Sequence, residues 1–438
     1  MPDPKKTIAA VLLVIGLAAG LRFTGLAGRP MHTDEAVHAV KFGELLEGRG
    51  YAYDPQEYHG PTLNYLTLVP AFLSGQRKLE DLTETTLRAV PAFFGTALLL
   101  WMLLLVPVIG RTAVLGAVLF AAVSPSLVFY SRYYIQETLL LFFMLGMIAC
   151  IVRYGLRPSF GWAAAAGLCA GLTHATKETC VIAWAAAAAA GFVFWGGGRK
   201  RTPDRPNPRW THAAFGVACA AFVSALFFSS FFSHPAGVRD SLTAYGVYLG
   251  RAGESVHLQP WFYYFHILGG WKAQAGPVWS EAPVLFFGMI GIVSVFGSGG
   301  KRPGAPERAA SRFLVLFTVI LTVAVSAIPY KTPWNLLLFW GGWMILAGIG
   351  LDHLLRRFSR LGMRAVVLLA FAASVVFLLR QSLMAVTAYD SDPRNPYVYS
   401  HPGPDLEILT GSVLAAADAS SEGRELRVDV IVPEHGYW

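Results

Sequence analysis

The string His32-Thr-Asp-Glu35 places two adjacent carboxylates about seven residues after the first long apolar run ends near Thr24. Acids beside an apolar span are costly unless they hold a cation, pair with a base or exchange a proton, so Asp34 and Glu35 mark a place for chemistry. Other ionisable groups recur between apolar runs: Glu57 and His59 in Pro55–Pro61, Arg132 and Glu137 with Gln136 in Ser131–Glu137, the group His174, Lys177 and Glu178, then His257, and Lys331 in Ile328–Trp334. The acids suit a general base or the ligands of a divalent cation, for which Asp34, Glu137, His59 and His257 are the candidates. Arg132, Lys177 and Lys331 suit a phosphate or pyrophosphate at a membrane surface, most naturally that of a lipid. Trp261, Tyr263, Tyr264, Trp279 and Trp334 offer faces on which a sugar can stack, although aromatics are also expected at any membrane interface.

Composition names the scaffold that must position these groups. The 438 residues are 55% hydrophobic and only 14% charged, with mean hydropathy +0.49. Soluble domains carry about 25% charged residues, so this is a membrane protein. Eleven apolar runs begin near residues 8, 88, 112, 137, 160, 179, 211, 282, 312, 333 and 363, each a candidate for the helix of about 20 residues that crosses a bilayer. They are continuous rather than alternating, which makes them helices and not barrel strands. The first run has Lys5 and Lys6 ahead of it and small residues at its end, as a signal peptide would. Because ten more runs follow, it is read as a retained helix.

The net charge of +8 is not the footprint of a nucleic-acid binder, because the bases cluster in short loops. Arg199, Lys200, Arg201, Arg205 and Arg209 form one group, Lys301, Arg302, Arg308 and Arg312 a second, and Arg356, Arg357, Arg360 and Arg364 a third. With eleven spans all three fall on the side of Lys5 and Lys6, which predicts a cytoplasmic N-terminus, an exterior C-terminus and a multi-pass protein of the cell membrane. Every acid and base singled out above then faces outward. The cysteines Cys150, Cys169, Cys180 and Cys219 lie in or beside apolar runs without metal-ligand spacing and read as small buried hydrophobes.

The organisation that follows is an all-α polytopic membrane domain over residues 1–380 and an exterior tail over 381–438. The largest exterior loop, about 22–87, contains two amphipathic stretches expected to lie as helices on the membrane surface. One is Asp34–Leu46, with Asp34 as its cap and Val37, Val40, Phe42 and Leu45 or Leu46 on one side; the other is Pro61–Leu73, with proline at its first position. In the tail, Glu425–Val432 alternates like a strand, which predicts a small α/β segment.

This layout resembles the GT-C glycosyltransferases, multi-span enzymes that use lipid-phosphate sugars at the outer membrane face. More narrowly it is similar to the flippase-activity-associated membrane proteins, relatives of protein mannosyltransferases and aminoarabinose transferases. The strings that carry the likeness are Thr33-Asp-Glu-Ala-Val-His38, Tyr58-His-Gly-Pro61, Ser131-Arg-Tyr-Tyr-Ile-Gln-Glu137, Thr176-Lys-Glu178, His257-Leu-Gln-Pro-Trp261 and Pro329-Tyr-Lys-Thr-Pro-Trp334. The resemblance implies Asp34 as the base acting on an acceptor, with Glu35 its neighbour and Glu137 the second acid of a catalytic set. It implies Arg132, Lys177 and Lys331 at the donor phosphate, and His59, His257, Trp261 and Tyr264 around the substrate. An Asp-X-Asp in the second exterior loop, as a metal-dependent oligosaccharyltransferase would have, is missing.

The leading reading is an inverting transferase that takes a sugar from a polyprenyl-phosphate lipid and gives it to a glycan, lipid or protein acceptor. A divalent cation is the one cofactor under consideration. A flippase for lipid-linked oligosaccharides, or its accessory, is the alternative, and a scaffold for other membrane enzymes a third. A transporter would carry polar residues at mid-membrane depth, whereas here they gather at one face. Under the leading reading, Lys177 and Lys331 lie within one phosphate's reach of each other, with Glu178 close enough to pair with one of them.

Overall fold

The computed structural model describes residues 4–56, 59–193, 209–251, 257–297, 305–403 and 405–429. Glu57, the bases Arg199, Lys200, Arg201, Arg205, Lys301 and Arg302, and the last residues of the expected tail strand lie outside the described residues. The elements in order are α1 (Pro4–Phe23), α2 (Thr33–Leu46), α3 (Thr62–Leu73), α4 (Glu84–Leu103), α5 (Val106–Ile109), α6 (Arg111–Val123), α7 (Pro125–Tyr130), α8 (Glu137–Leu156) and α9 (Phe160–His174). They continue with α10 (Cys180–Gly191), α11 (Trp210–Phe228), α12 (Ala236–Arg251), α13 (Tyr263–Gly269), α14 (Ala282–Phe296), α15 (Ala305–Ala327), α16 (Leu337–Arg357), α17 (Leu361–Ala385) and α18 (Asp405–Ala419).

A helix stands at each of the eleven expected positions, and among the described residues six helices are long and apolar enough to cross a membrane. The third span is broken: α6 stops at Ser124 because Pro125 follows, and α7 begins with that proline as its first residue. Helix α16 is the axis of the bundle, packed on α6, α14, α15 and α8, with Trp340, Met344 and Leu346 fully enclosed. Helices α11 and α17 run along the periphery and present apolar side chains outward, as a lipid-facing helix must. Helix α1 is joined to the bundle by Arg22, whose guanidinium donates to the carbonyls of Ala121 and Ala122, each at 3.0 Å.

Three expectations are corrected. Helix α2 buries Glu35, His38, Ala39, Phe42, Gly43 and Leu46, while Val37 and Val40 point outward. The face that packs is therefore polar at its start, because Glu35 and His38 find polar partners on other helices. The cap of α2 is His32 rather than Asp34: His32 Nδ1 accepts from the Asp34 amide at 3.0 Å, and Glu35 returns to the His32 amide at 3.0 Å, a reciprocal capping box. In the tail, α18 and a short 3-10 turn at Gly423–Glu425 are present, and among the described residues there is no strand.

Candidate active site

Six short strings that looked separate in sequence meet as three pairs at one end of the bundle. The first pair joins α2 to the turn between α7 and α8. Glu35, with no exposed surface, accepts from Arg29 (2.7 and 3.1 Å), from Arg88 of α4 (2.8 and 3.0 Å) and from the Tyr134 amide at 2.9 Å. Burial would raise its pKa, but the charges and hydrogen bonds of Arg29 and Arg88 overcome that and hold it below the usual carboxylate range. Every lone-pair direction is taken, so Glu35 is a structural anchor. The catalytic part expected of it is left with no open face. One turn along α2, His38 stands 3.5 Å from the Gln136 amide nitrogen. Burial, then the charges of His59 and Lys177, push His38 down to about 3, so it is neutral.

The second pair joins Pro61 and its neighbours to the turn between α9 and α10. The Thr62 amide donates to the Ala175 carbonyl at 3.1 Å, and the Thr62 and Thr176 hydroxyls bond at 2.8 Å. Gly60 permits this docking: a Cβ there would lie 2.2 Å from the Ala175 oxygen. The contact brings His59 Nδ1 to 2.8 Å from Glu178, which also accepts from the Tyr53 hydroxyl at 2.7 Å. Burial alone would raise the Glu178 pKa; the nearby His59 charge and these hydrogen bonds bring it down to about 2. Lys177, beside it, pairs with Glu137 of α8 rather than with Glu178. The expected partnership of Glu178 with a lysine is thereby corrected. Its partner is a histidine, because the Gly60 docking delivers His59 first.

The third pair is antiparallel. Leu258 bridges Tyr330, the Gln259 amide donates to the Pro329 carbonyl and the Lys331 amide to the His257 carbonyl, each at 3.0 Å. Lys331 Nζ is enclosed and donates to the carbonyls of Gln259, at 3.1 Å, and Ile328. His257 bonds the Tyr399 hydroxyl, and its ring lies 5.2 Å from that of Tyr330. Trp334 reaches across to His32, 5.8 Å between ring centroids, and to Tyr133 at 6.3 Å. The C-terminal segment closes this side. His401 lies 5.1 Å from both His32 and Tyr133, and the Tyr397 hydroxyl bonds Glu281 at 2.9 Å.

Helix α2 stands between these groups, with His32 and Asp34 toward the third pair and His38 toward the second. Among the described acids of these strings Asp34 alone is open, its side chain 47% exposed, against 0% for Glu35, 6% for Glu137 and 5% for Glu178. Arg132 is not free for a phosphate. Its guanidinium donates to the carbonyls of Leu21, Arg22, Thr24 and Gly25, closing the end of α1. Trp261 is 67% exposed, whereas Tyr264 is buried against Phe339. Lys177 faces Glu137 and Lys331 faces backbone carbonyls, so each ammonium has its own partner.

The four candidate metal ligands go to four different neighbours: Asp34 to His32, Glu137 to Lys177, His59 to Glu178 and His257 to Tyr399. Among the described residues no three His, Cys, Asp or Glu side chains come together as a metal site. Sequence reasoning passed over Arg29 and Arg88, which seal Glu35, and Glu281, which ties the tail to Ser124, Ser126 and Trp340. An arginine at the end of a span was the available signal, since a charge at that depth requires a partner.

This arrangement of spans, surface helices and clustered polar loops is the polytopic fold of GT-C membrane glycosyltransferases. The chain superimposes on the Archaeoglobus fulgidus oligosaccharyltransferase, solved tethered with an acceptor peptide containing the NVT sequon, with a TM-score of 0.63 at 13% identity, covering 97% of this chain and 58% of that one. The same enzyme, AglB, in complex with an inhibitory peptide and a dolichol-phosphate gives 0.62 at 12% identity, covering 96% and 58%. ArnT from Cupriavidus metallidurans bound to undecaprenyl phosphate gives 0.59 at 17% identity, covering 89% and 74%. The chain thus spans less than two thirds of the oligosaccharyltransferase's length. A model of the dolichyl-phosphate-mannose-protein mannosyltransferase family matches residues 69–234. No curated protein matches the chain by sequence.

Proposed function

We propose that this protein is a membrane glycosyltransferase that moves a sugar from a polyprenyl-phosphate lipid to an acceptor hydroxyl, with inversion at the anomeric carbon. The observation that carries this reading is Asp34, among the described residues the one open carboxylate in a cluster of sealed ones, set on the capped start of α2. Asp34 removes the proton from the acceptor hydroxyl. The freed oxygen bonds the anomeric carbon, and the bond from that carbon to the phosphate oxygen breaks with its electron pair staying on the lipid phosphate. Lys177 is the cation best suited to that phosphate, because its partner is a side chain that can yield, whereas Arg132 is bound by four backbone carbonyls and Lys331 by two. Support for a lipid-phosphate donor comes from the fold shared with ArnT, solved with undecaprenyl phosphate, and with AglB, solved with dolichol-phosphate.

The test incubates purified protein in detergent with radiolabelled polyprenyl-phosphate hexoses and follows loss of label from the lipid. Transfer or slow hydrolysis that Asp34→Asn abolishes is the expected result. Lipid that stays intact with every hexose, yet crosses the bilayer of proteoliposomes, would overturn the transferase reading in favour of a flippase.

A further inference from the structure

Two adjacent side chains at the start of α8 carry buried polar atoms that the rest of the site does not satisfy. Glu137 gives one carboxylate oxygen to Lys177, while its Oε2 has no hydrogen-bond partner. Gln136 turns its amide nitrogen toward His38, and its Oε1 is equally without a partner. Both residues are more than nine-tenths buried, at 5% and 1% exposure. A third such atom, Asn64 Oδ1, lies on α3 between Thr62, which bonds Thr176, and Thr67, which bonds the Tyr134 hydroxyl. Leaving a buried acceptor unmet costs roughly 1–3 kcal/mol, so two of them on adjacent side chains call for a ligand. Turning either amide over exchanges an unmet acceptor for an unmet donor and does not remove the demand.

We propose that Gln136 and Glu137 form the subsite for the sugar hydroxyls of the donor lipid, on the reading that the donor is a polyprenyl-phosphate sugar. A hydroxyl both donates and accepts, so it satisfies an amide in either orientation and a carboxylate oxygen. The placement agrees with the chemistry. Lys177 is bound to Glu137, so a phosphate held by Lys177 puts the attached sugar ring beside Glu137 Oε2 and Gln136. His38 links Gln136 to α2, the helix that carries Asp34 at its start, so one helix holds both the base and the sugar subsite. His59, with a quarter of its side chain exposed and its ring 6.4 Å from that of His38, forms the rim past which the sugar enters.

The experiment compares binding of polyprenyl-phosphate hexose with binding of bare polyprenyl phosphate to the detergent-purified full chain. Two hydrogen bonds of ordinary strength predict a preference for the sugar-bearing lipid of about tenfold or more. Gln136→Leu should lower that preference about fivefold and leave the affinity for bare lipid unchanged; Gln136→Met serves if the leucine variant does not fold. Equal binding of both lipids by the unaltered protein would overturn the subsite and leave the lipid-phosphate reading standing, the unmet atoms then being hydrated. A preference that survives both substitutions would overturn it as well. If neither lipid binds, the lipid-donor reading falls and takes the subsite with it.

Discussion

Around α2 charge is met by charge, whereas around Lys331 it is met by backbone. Glu35 lies between two guanidiniums, Glu137 pairs with Lys177 and Glu178 with His59, all with little or no exposure on the acid. Across the site, Lys331 rests on two carbonyls, and its segment meets residues 257–261 through one isolated bridge, with His257 at φ 61° and Tyr330 39% exposed. A buried pair is hard to break because the survivor is left as an uncompensated charge, so the α2 side is a fixed floor. The bridge is short and Tyr330 beside it is exposed, so the Lys331 side is a wall held less tightly than the floor. Asp34 stands on the floor and faces that wall.

The largest effect separates function from framework at Asp34. Asp34→Asn should lower transfer by about 10²–10⁴-fold, the contribution of a positioned base, while the thermal midpoint in detergent stays put. A variant with near-normal transfer removes the base from Asp34. Next is the floor itself. Arg88→Met leaves Glu35 facing one guanidinium instead of two, and should cost about 3–5 kcal/mol of stability in a denaturant or thermal titration.

Acid should attack the same floor. His38 lies below its ordinary value near 6.5 when folded, at about 3, so the stability it contributes is full above pH 6.5 and falls as pH drops toward 3. Glu178 lies at about 2 against an ordinary 4.5, so its contribution is complete above pH 4.5 and is lost toward pH 2. Stability should therefore decline in two stages on acidification, and Glu178→Gln should remove the lower one. A single stage common to both proteins would separate Glu178 from the acid response.

Gly60→Ala forces a Cβ against the Ala175 carbonyl and should cost about 1–3 kcal/mol, with the His59–Glu178 contact loosened. The smallest effect is expected at the wall. Lys331→Met should cost only about 1 kcal/mol, since the charge removed was itself disfavoured by burial. If Lys331→Met proves as damaging as Arg88→Met, the distinction between floor and wall fails.

The spans could be read from sequence because a run of apolar residues has one use in a membrane, and a helix stands at each expected place. Asp34 and Glu35 were found for the same reason, since charge near lipid stands out. What could not be read was who pairs with whom. Lys177 and Glu178 are neighbours in the chain but serve Glu137 and His59, because the packing of α8 and the Gly60 docking decide the partners. The face of α2 was misjudged for a related reason. Hydrophobic pattern assigns Glu35 and His38 to solvent, and only the arginines and amides of other elements make their burial favourable. Arg132 looked like a phosphate ligand because sequence cannot show that four carbonyls at the end of α1 already hold it.

The enclosure of Glu35 also bears on how the chain is made. Its partners arrive in order: Arg29 within the same loop, then Arg88 at the start of α4, then the Tyr134 amide after α7. During synthesis from the N-terminus, Glu35 emerges with one arginine and waits for the second. The anchor at Glu35 is therefore complete only once the turn after α7 is in place, so the site can form only after the first loop, α2, α4 and that turn have been assembled around it.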